Sequence, residues 1–575
     1  MVTLVTSATT SWGLTGVLIL GIKVTHDGAV ALIDDDRLVF SVEMEKIANG
    51  GRYAELGDLR RVVEVLETHD LELSDIDQFA IDGWGYGDVS TTRAGATVNL
   101  SVAPYREAAP ADDSLTPHRF AGLDFDGSKT FEYSSFHHTT GHIFSAYCTS
   151  PFARAGEPSF VLVWDGGVLP RCYYVRPEAP FVENLGPVFG LLGNVYAVFA
   201  MHFEPFRMAD PYLIEAGGTP AERSAYNARR LNVPGKVMAY TALGEVREDV
   251  CAEFDRIYAG MPPGTMDKPR PFVRQFIDEF LAWAGPRAVS AADAMAGFQH
   301  WVGARLVESL RRVREKSPGH AANLCFAGGC ALNIKWNSAI RRSGVFERVF
   351  VPPFPNDSGS ALGAACSAMV STTGRSALGW SVYHGPALTP AADGEGYASR
   401  PLDVPGLARL LHESDEPVVV LTGRAELGPR ALGNRSVLAA ATSRTMKDRL
   451  NEIKHRESYR PVSPICLEHR APEIFSPGTP DPYMLFDHET RPEWLDRIPA
   501  VVHLDGSARL QTVNAAQNPL IAELLTEYER LSGVPLLCNT SANFNGKGFF
   551  PDVSSALGWG GTRYVWSEGV LWERT

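Results

Sequence analysis

Short apolar runs alternate with acid-glycine turns from Val17 onward. The stretch VLILGIKVTHDGAVALIDDDRLVFSVEME predicts strands over Leu18–Val24, Ala29–Ile33 and Leu38–Glu43, broken by turns at His26-Asp27-Gly28 and Asp34–Asp36. Strand, Asp-Gly turn, strand is a backbone path that wraps N–H groups around a phosphate. A similar pattern returns in SFVLVWDGGVLPRCYYV, Ser159–Val175, where Asp165-Gly166-Gly167 separates two apolar strands. Two such units predict an internal duplication, with related lobes facing each other across a cleft.

Farther along, 3.6-residue periodicity predicts helices over Leu59–Thr68, Phe272–Trp283 and Ala291–Lys316, the last long enough to be a central packing element. Asp77–Gly87 reads as a strand ending in a Gly- and aromatic-rich loop. Residues from about 94 to 130, rich in Pro, Asp and Ser, predict an irregular insertion over the cleft. Leu324–Ile340 reads as strand, Gly-Gly turn, helix. In VFVPPFPNDSGSALGAACSAM, a strand and loop lead to a helix with Asn356 and Asp357 near its start, where free amides favour an anion. Composition shifts at Ser371–Arg375 and again at Leu388–Arg400, which predicts a boundary between domains 1–385 and 386–575. Beyond it, strands are expected over Pro417–Thr422, Ser436–Ala441 and Val534–Asn539, and a helix over Ile521–Leu531.

With 575 residues the chain exceeds one core, and 45% hydrophobic with 21% charged residues is ordinary for a globular protein. A formal charge of −14 argues against a broad nucleic-acid surface. Eight cysteines with no CxxC pair read as reduced thiols of a cytoplasmic protein. The start has an apolar run without a basic n-region, and no run approaches membrane-spanning length, so neither a signal peptide nor a membrane partner is expected. Against this acidic background, Gly423–Pro461 holds nine Lys or Arg and four acids, with four Gly or Pro near its start. Cations on bent backbone suit a small anion: the arginine fork binds phosphate or carboxylate through paired hydrogen bonds, and glycines let N–H groups approach the same oxygens.

In HHTTGH, His138 and His142 are four residues apart and share a face if helical, which is geometry for two ligands of one metal. An anionic third ligand is required, and Asp357 and Asp165 are the candidates. Gly328-Gly329, with Asn333 and Asn356 near by, suggests a phosphate turn. His26 fits a general base or a solvated turn histidine equally. Lys454, Arg456 and Arg460 follow a helix, and Ser541 and Asn543 lie in a loop after a buried strand; together they suit a small acyl phosphate and ATP. Asp505 and Arg509 read as a further acid-base pair.

These motifs, taken in order, resemble the O-carbamoyltransferases of the nodulation and antibiotic-tailoring type: HDGA at His26, HHxxxH at His137, GGCALN at Gly328, PNDSGSALGAA at Pro355, GRAELGPRALGNRS at Gly423, IKHRESYRP at Ile453, HLDGSARLQTV at His503 and NTSAN at Asn539. The resemblance implies an α/β protein: a duplicated TsaD-like N-terminal domain of the actin, sugar-kinase and chaperone-ATPase type, plus an α/β YrdC-like C-terminal domain. It implies that carbamoyl phosphate and ATP, with Mg2+, give carbamoyl-adenylate, and that the carbamoyl group then passes to a small-molecule alcohol. On the family pattern Lys454, Arg460, Arg430 and Arg509 hold phosphates and carbamoyl group, with Ser541 and Asn543 completing the pocket. His138, His142 and Asp357 hold a divalent metal, iron in such relatives, with Asp165 near by. Gly166 belongs to the same turn, Gly328, Gly329, Asn333 and Asn356 border the nucleotide, and His26 takes the acceptor proton. EMEKIAN after the third strand departs from the run of acids and arginine in relatives, Ala542 replaces an aromatic inside NTSxN, and the lack of CxxC argues against a hydrogenase-maturation role. Two other readings stay open: tRNA threonylcarbamoyl-adenosine synthesis, disfavoured by the acidic surface, and a nucleotide-regulated binding protein, which leaves the basic segment without a task. A homodimer is kept open as the assembly. The segment from Ala94 to Thr130 and the aromatic run Phe189–Tyr212 are candidate acceptor walls.

Overall fold

The computed structural model describes residues 13–108, 114–179, 181–212, 220–262, 264–266, 269–389 and 394–575. Its first half contains β1 (Leu18–Lys23), β2 (Ala29–Asp34), β3 (Arg37–Glu43), β4 (Gln78–Asp82), β5 (Asp88–Arg93), β6 (Ala96–Ser101), β7 (His118–Asp124) and β8 (Thr130–Phe136). The first three form an antiparallel meander, and β4 and then β8 add in parallel, giving the order 3-2-1-4-8. A second sheet contains β9 (Ser159–Val163), β10 (Arg171–Val175), β11 (Val182–Pro187), β12 (Asn323–Ala327) and β13 (Arg348–Phe350). Its order, 11-10-9-12-13, repeats the first: an antiparallel meander with two strands added in parallel. The expected internal duplication is thus present as a repeated topology. Its central strands β1, β2, β9 and β12 are buried along their whole length, which is why they read as unbroken apolar runs.

The stretch 94–130 is more regular than expected. Ala94 and Gly95, both at positive φ, turn β5 into β6, and β7 pairs with β8 as an edge strand of the first sheet. Both β6 and β7 are mostly solvent-facing, so no apolar alternation marked them in the sequence. Residues 109–113 of this stretch lie outside the described residues, as do residues 1–12 of the apolar start and residues 390–393 of the second composition shift. Two further helices, Pro220–Tyr240 and Glu248–Ala259, precede the expected helices, which run over Pro269–Ala284 and Ala291–Lys316.

Beyond residue 394 come β14 (Tyr397–Pro401), β15 (Val418–Leu421), β16 (Arg435–Ala439), β17 (Ser463–Leu467), β18 (Phe475–Ser476), β19 (His488–Thr490), β20 (Ser507–Ala508), β21 (Gln511–Val513), β22 (Leu536–Ser541), β23 (Tyr564–Ser567) and β24 (Val570–Arg574). An eight-stranded mixed sheet has the order 14-24-23-15-16-22-17-21, and β18, β19 and β20 form a small separate sheet. The basic loop between β15 and β16 is fixed from inside and outside. Internally, the Glu426 carboxylate accepts backbone N–H bonds from Leu432 and Asn434 at 2.7 Å each and from Arg435 at 3.2 Å. Externally, Leu427 and Leu432 are buried in one cluster with Phe354, Ala361 and Met484. Each such leucine contributes about 1.5–3 kcal/mol by leaving water. The departing stretch EMEKIAN has a structural task here: Glu43 accepts from Gly428 N–H at 2.7 Å, and Lys46 Nζ donates to the carbonyls of Glu426 and Gly428.

Candidate active site

The buried helix His138–Cys148 starts directly after β8 and crosses the helix Ser360–Thr373 at a point of close backbone approach. A Cβ on Gly363 would lie 2.1 Å from the Gly141 carbonyl oxygen, so only glycine permits this crossing. The crossing places His138 and His142 against Asp357, just ahead of the second helix. His138 Nε2 lies 3.1 Å from His142 Nε2, and the Asp357 Oδ1 atom is 3.3 Å and 3.5 Å from the two. Asp165, which ends the strand-and-turn unit after β9, completes a set of ligand atoms all within 4.8 Å of one another. All but Asp165 are buried.

This donor set fits a divalent metal. Asp82 Oδ2 accepts from His138 Nδ1 at 2.8 Å, so that nitrogen keeps its proton, and Nε2, whose own proton a metal would displace, faces the other imidazole and the Asp357 carboxylate. Lone pairs converging in a buried space repel unless a cation lies between them. The 3.1 Å between the two imidazole nitrogens is a separation that one ion could bridge at metal–nitrogen lengths of about 2.1 Å. Lys23, at the end of β1, lies 2.7 Å from Asp82 and 3.1 Å from Asp357. Burial lowers the His138 pKa, but Asp82 and Asp357 outweigh it and raise the value to about 9, a measure of how cation-attracting the corner is.

His26 stands at the rim of this corner. Its Nδ1 is 2.9 Å from Asp27 Oδ2, its Nε2 is 3.6 Å from Asp357 Oδ2, and its ring meets Trp84 edge-on. Burial pulls its pKa down, yet Asp357 and Asp27 raise it overall, which makes the imidazole a better proton acceptor than a free one. Asp165 is held from two sides, by Tyr105 Oη and by Gly329 N–H at 2.8 Å. Gly328, at φ +89°, could carry no side chain because a Cβ would strike the Trp164 carbonyl at 2.4 Å. A Cβ on Gly166 would likewise strike Asn194 Oδ1 at 2.4 Å. Asn333 caps the helix Ile334–Arg342 through the N–H groups of Lys335 and Trp336 and exchanges hydrogen bonds with Gln299. Asn356 donates to Asp27 Oδ1 at 3.3 Å.

A second cluster has the opposite sign. Arg430, Lys454, Arg456, Arg460 and Arg509 converge beside Ser541 and Asn543 with few acids among them. Burial, and then the facing guanidiniums of Arg52 and Arg460, pull Arg430 down to about 10. Burial and then Arg460, Arg52 and Arg430 pull Arg456 to about 9. Lys454 is depressed by burial, Arg456 and Arg52, and Arg509 by burial, Arg430, Arg460 and Arg456. Cations that depress one another in this way form a site for a multiply charged anion. Lys454 Nζ donates to the carbonyls of Ser541 and Asn543 and to Asn543 Oδ1, so it shapes the loop as well as adding charge. Ser541 Oγ donates to Asn543 Oδ1 at 2.7 Å, and Arg456 reaches Thr540. The expected pairing of Asp505 with Arg509 is replaced: Asp505 holds Lys335 at 2.6 Å, while Arg509 Nε donates to Ser463 Oγ at 3.0 Å.

One cavity of about 720 Å3 joins the two clusters; its walls include His26, Asp165 and Asp357 at one end and Arg430, Lys454, Arg460, Arg509 and Ser541 at the other. Lys23, Asp82, Trp84, Tyr105 and Arg52 were missed in the sequence. Lys23 and Asp82 had a signal, since each is a charge closing an otherwise apolar strand, LILGIK and QFAID. Of the expected acceptor walls, the segment from Ala94 to Thr130 reaches this cavity at Tyr105, and the Phe189–Tyr212 run at Gly193, Asn194, Tyr196 and Ala197; most aromatics of the second run are buried in the core. Among the described residues, no helix is long and apolar enough to cross a membrane.

Comparison with known proteins gives this geometry a family. Residues 18–366 match the profile described as carbamoyltransferase N-terminus, and residues 408–562 that described as carbamoyltransferase C-terminus. Nodulation protein U of Rhizobium tropici is 48% identical over 576 residues, spanning 97% of this chain and 96% of that protein. The 3'-hydroxymethylcephem-O-carbamoyltransferase of Streptomyces clavuligerus is 34% identical over 548 residues, spanning 94% and 95%. A two-lobed α/β unit, a cation pocket and near-complete coverage by such relatives agree: the chain belongs to the carbamoyltransferase family.

Proposed function

We propose that this protein is an ATP- and carbamoyl phosphate-dependent O-carbamoyltransferase acting on a hydroxyl of a small natural product. The observation that carries the reading is the single cavity joining an anion-collecting cluster to a histidine-carboxylate corner. In the cationic pocket, carbamoyl phosphate and water yield carbamate and phosphate. Carbamate then attacks the α-phosphorus of Mg-bound ATP, forming carbamoyl-adenylate and releasing pyrophosphate. Arg430, Arg456, Arg460 and Arg509 gather the charges, and Lys454 holds the Ser541–Asn543 loop in shape beneath them. Carbamate is a poor electrophile, so joining it to AMP supplies a good leaving group, and a cavity shared by both ends gives the adenylate a path that stays against the protein.

At the other end the acceptor hydroxyl attacks the carbamoyl carbon, AMP leaves, and His26 takes the hydroxyl proton with Asp27 orienting its ring. His138, His142 and Asp357, with Asp165 beside them, would hold the divalent metal, which we assign as iron; it would supply Lewis acidity toward the adenylate phosphate. The work divides between residues 1–385, which transfer, and 386–575, which activate. Nodulation protein U and the cephem carbamoyltransferase as relatives support a natural-product acceptor.

The test is to incubate the protein with ATP and carbamoyl phosphate, without acceptor, and to measure pyrophosphate and carbamoyl-AMP. Both should form. Adenylate appearing only with threonine and bicarbonate would favour the RNA-modifying reading, and no adenylate with either would favour a nucleotide-regulated binding protein.

A further inference from the structure

A third charged feature of the cavity remains without a task. Arg230 projects from the helix Pro220–Tyr240, and Arg270 lies near the start of the helix Pro269–Ala284; both line the cavity, in company with Trp84, Tyr105 and His26. Arg230 is half-buried, and its Nε is shielded from solvent with no hydrogen-bond partner. No ion pair involving Arg230 or Arg270 occurs among the described residues. After burial, Arg270 is the cation that depresses Arg230, while Tyr226, Asp165 and Tyr105 act in the opposite direction. Arg270 itself is exposed, and Asp165 and Tyr105, which act on Arg230, belong to the histidine-carboxylate end of the cavity. A half-buried guanidinium whose shielded Nε lacks a hydrogen-bond partner is completed by a ligand that brings an acceptor to it.

Nucleotide phosphates already have the cationic pocket at one end and the metal corner at the other. What the transfer side still needs is a grip on the acceptor. We propose that Arg230 and Arg270 form an oxyanion subsite that binds a carboxylate, or an equivalent single anion, on the acceptor and so aims its hydroxyl toward His26. The substrate class is therefore an anionic alcohol with an unsaturated or aromatic ring, stacked along Trp84 and Tyr105. This rests on the carbamoyl-transfer reading for its meaning, but its test does not.

The probe is 4-(hydroxymethyl)benzoate, compared with benzyl alcohol, titrated calorimetrically into the full chain without ATP. Wild type should bind the hydroxy acid about tenfold more tightly, the size of one charge-assisted hydrogen bond. Arg230→Gln should remove that preference, Arg230→Lys should restore part of it, and AMP affinity should change less than twofold in both. Equal binding of the two probes by wild type would overturn the subsite, as would an undiminished preference in Arg230→Gln. A larger loss for AMP than for the hydroxy acid in Arg230→Gln would also overturn it, marking a nucleotide-phosphate site instead. If the full chain makes no carbamoyl-AMP and yet Arg230→Gln abolishes the preference, the activation chemistry falls while the anion subsite stands.

Discussion

The two ends of the cavity solve opposite electrostatic problems. In the histidine-carboxylate corner each charge meets its complement inside the protein: Lys23 lies between Asp82 and Asp357, and Asp82 fixes the tautomer of His138. In the arginine pocket, cations depress one another and Glu457 is the sole carboxylate close to Arg460, at 3.7 Å, among the described residues. The first end is assembled before any substrate arrives. The second is held under mutual repulsion that only an incoming anion relieves. The difference teaches where ligand energy would go on the function proposed above: metal binding at the first end would use preorganised geometry, and ATP binding at the second would discharge stored repulsion.

The strongest way to break this contrast is to remove one group from each end. Lys454→Ala should lower carbamoyl-AMP formation by about a thousandfold, since it removes both a charge and the three bonds that hold the Ser541–Asn543 loop. His138→Ala should leave pyrophosphate release within about twofold and lower carbamoyl transfer to an alcohol by more than about a hundredfold. Chromatography of carbamoyl-AMP and carbamoylated acceptor separates the two; equal loss of both products in each variant would end the division of labour.

A subtler change tests preorganisation. Asp82→Asn keeps His138 and His142 in place but weakens the hold on the His138 proton, and metal affinity should fall by about 10- to 100-fold. Competition with a chelator, read by elemental analysis, measures this without any assay of turnover. An unchanged affinity would mean that the ligands alone define the corner.

Repulsion in the pocket also predicts a pH effect. The Lys454 ammonium is depressed by burial and by Arg456 and Arg52, so it is charged below its lowered pKa and loses its proton as pH rises through it. Pyrophosphate affinity should fall several-fold as pH rises through that lowered value, below the ordinary lysine range, and Lys454→Arg should flatten the profile. Titration calorimetry as a function of pH decides it, a flat wild-type profile counting against it. The smallest expected effect is on the ligand-free protein: Arg460→Gln should raise its melting temperature by about 1–2 °C by relieving repulsion, yet shrink the further rise produced by pyrophosphate.

The sequence displayed the repeated lobes and the histidine pair because both are periodic: all-apolar strands with Asp-Gly turns, and imidazoles at helical spacing. β6 and β7 escaped because their side chains face water and follow no alternation. Arg52, Tyr105 and Arg230 lie in turns, irregular stretches or a proline-interrupted helix, and enter the cavity only through the path of the folded chain. Lys454 was visible as a charge, but its use as a clasp on the Ser541–Asn543 loop depends on contacts 87 and 89 residues away in sequence.

Leu427 and Leu432 seat the arginine-bearing loop among side chains of the first half, Glu43 and Lys46 grip the same loop, and Arg52 reaches across to the pocket. The two halves are therefore not interchangeable cassettes. A chimaera cut at residue 385 would strip the second half of its foundation and of a charge facing its pocket, so, on the acceptor subsite proposed above, exchanging acceptor preference between relatives calls for grafting the helix Pro220–Tyr240, with the seam left intact.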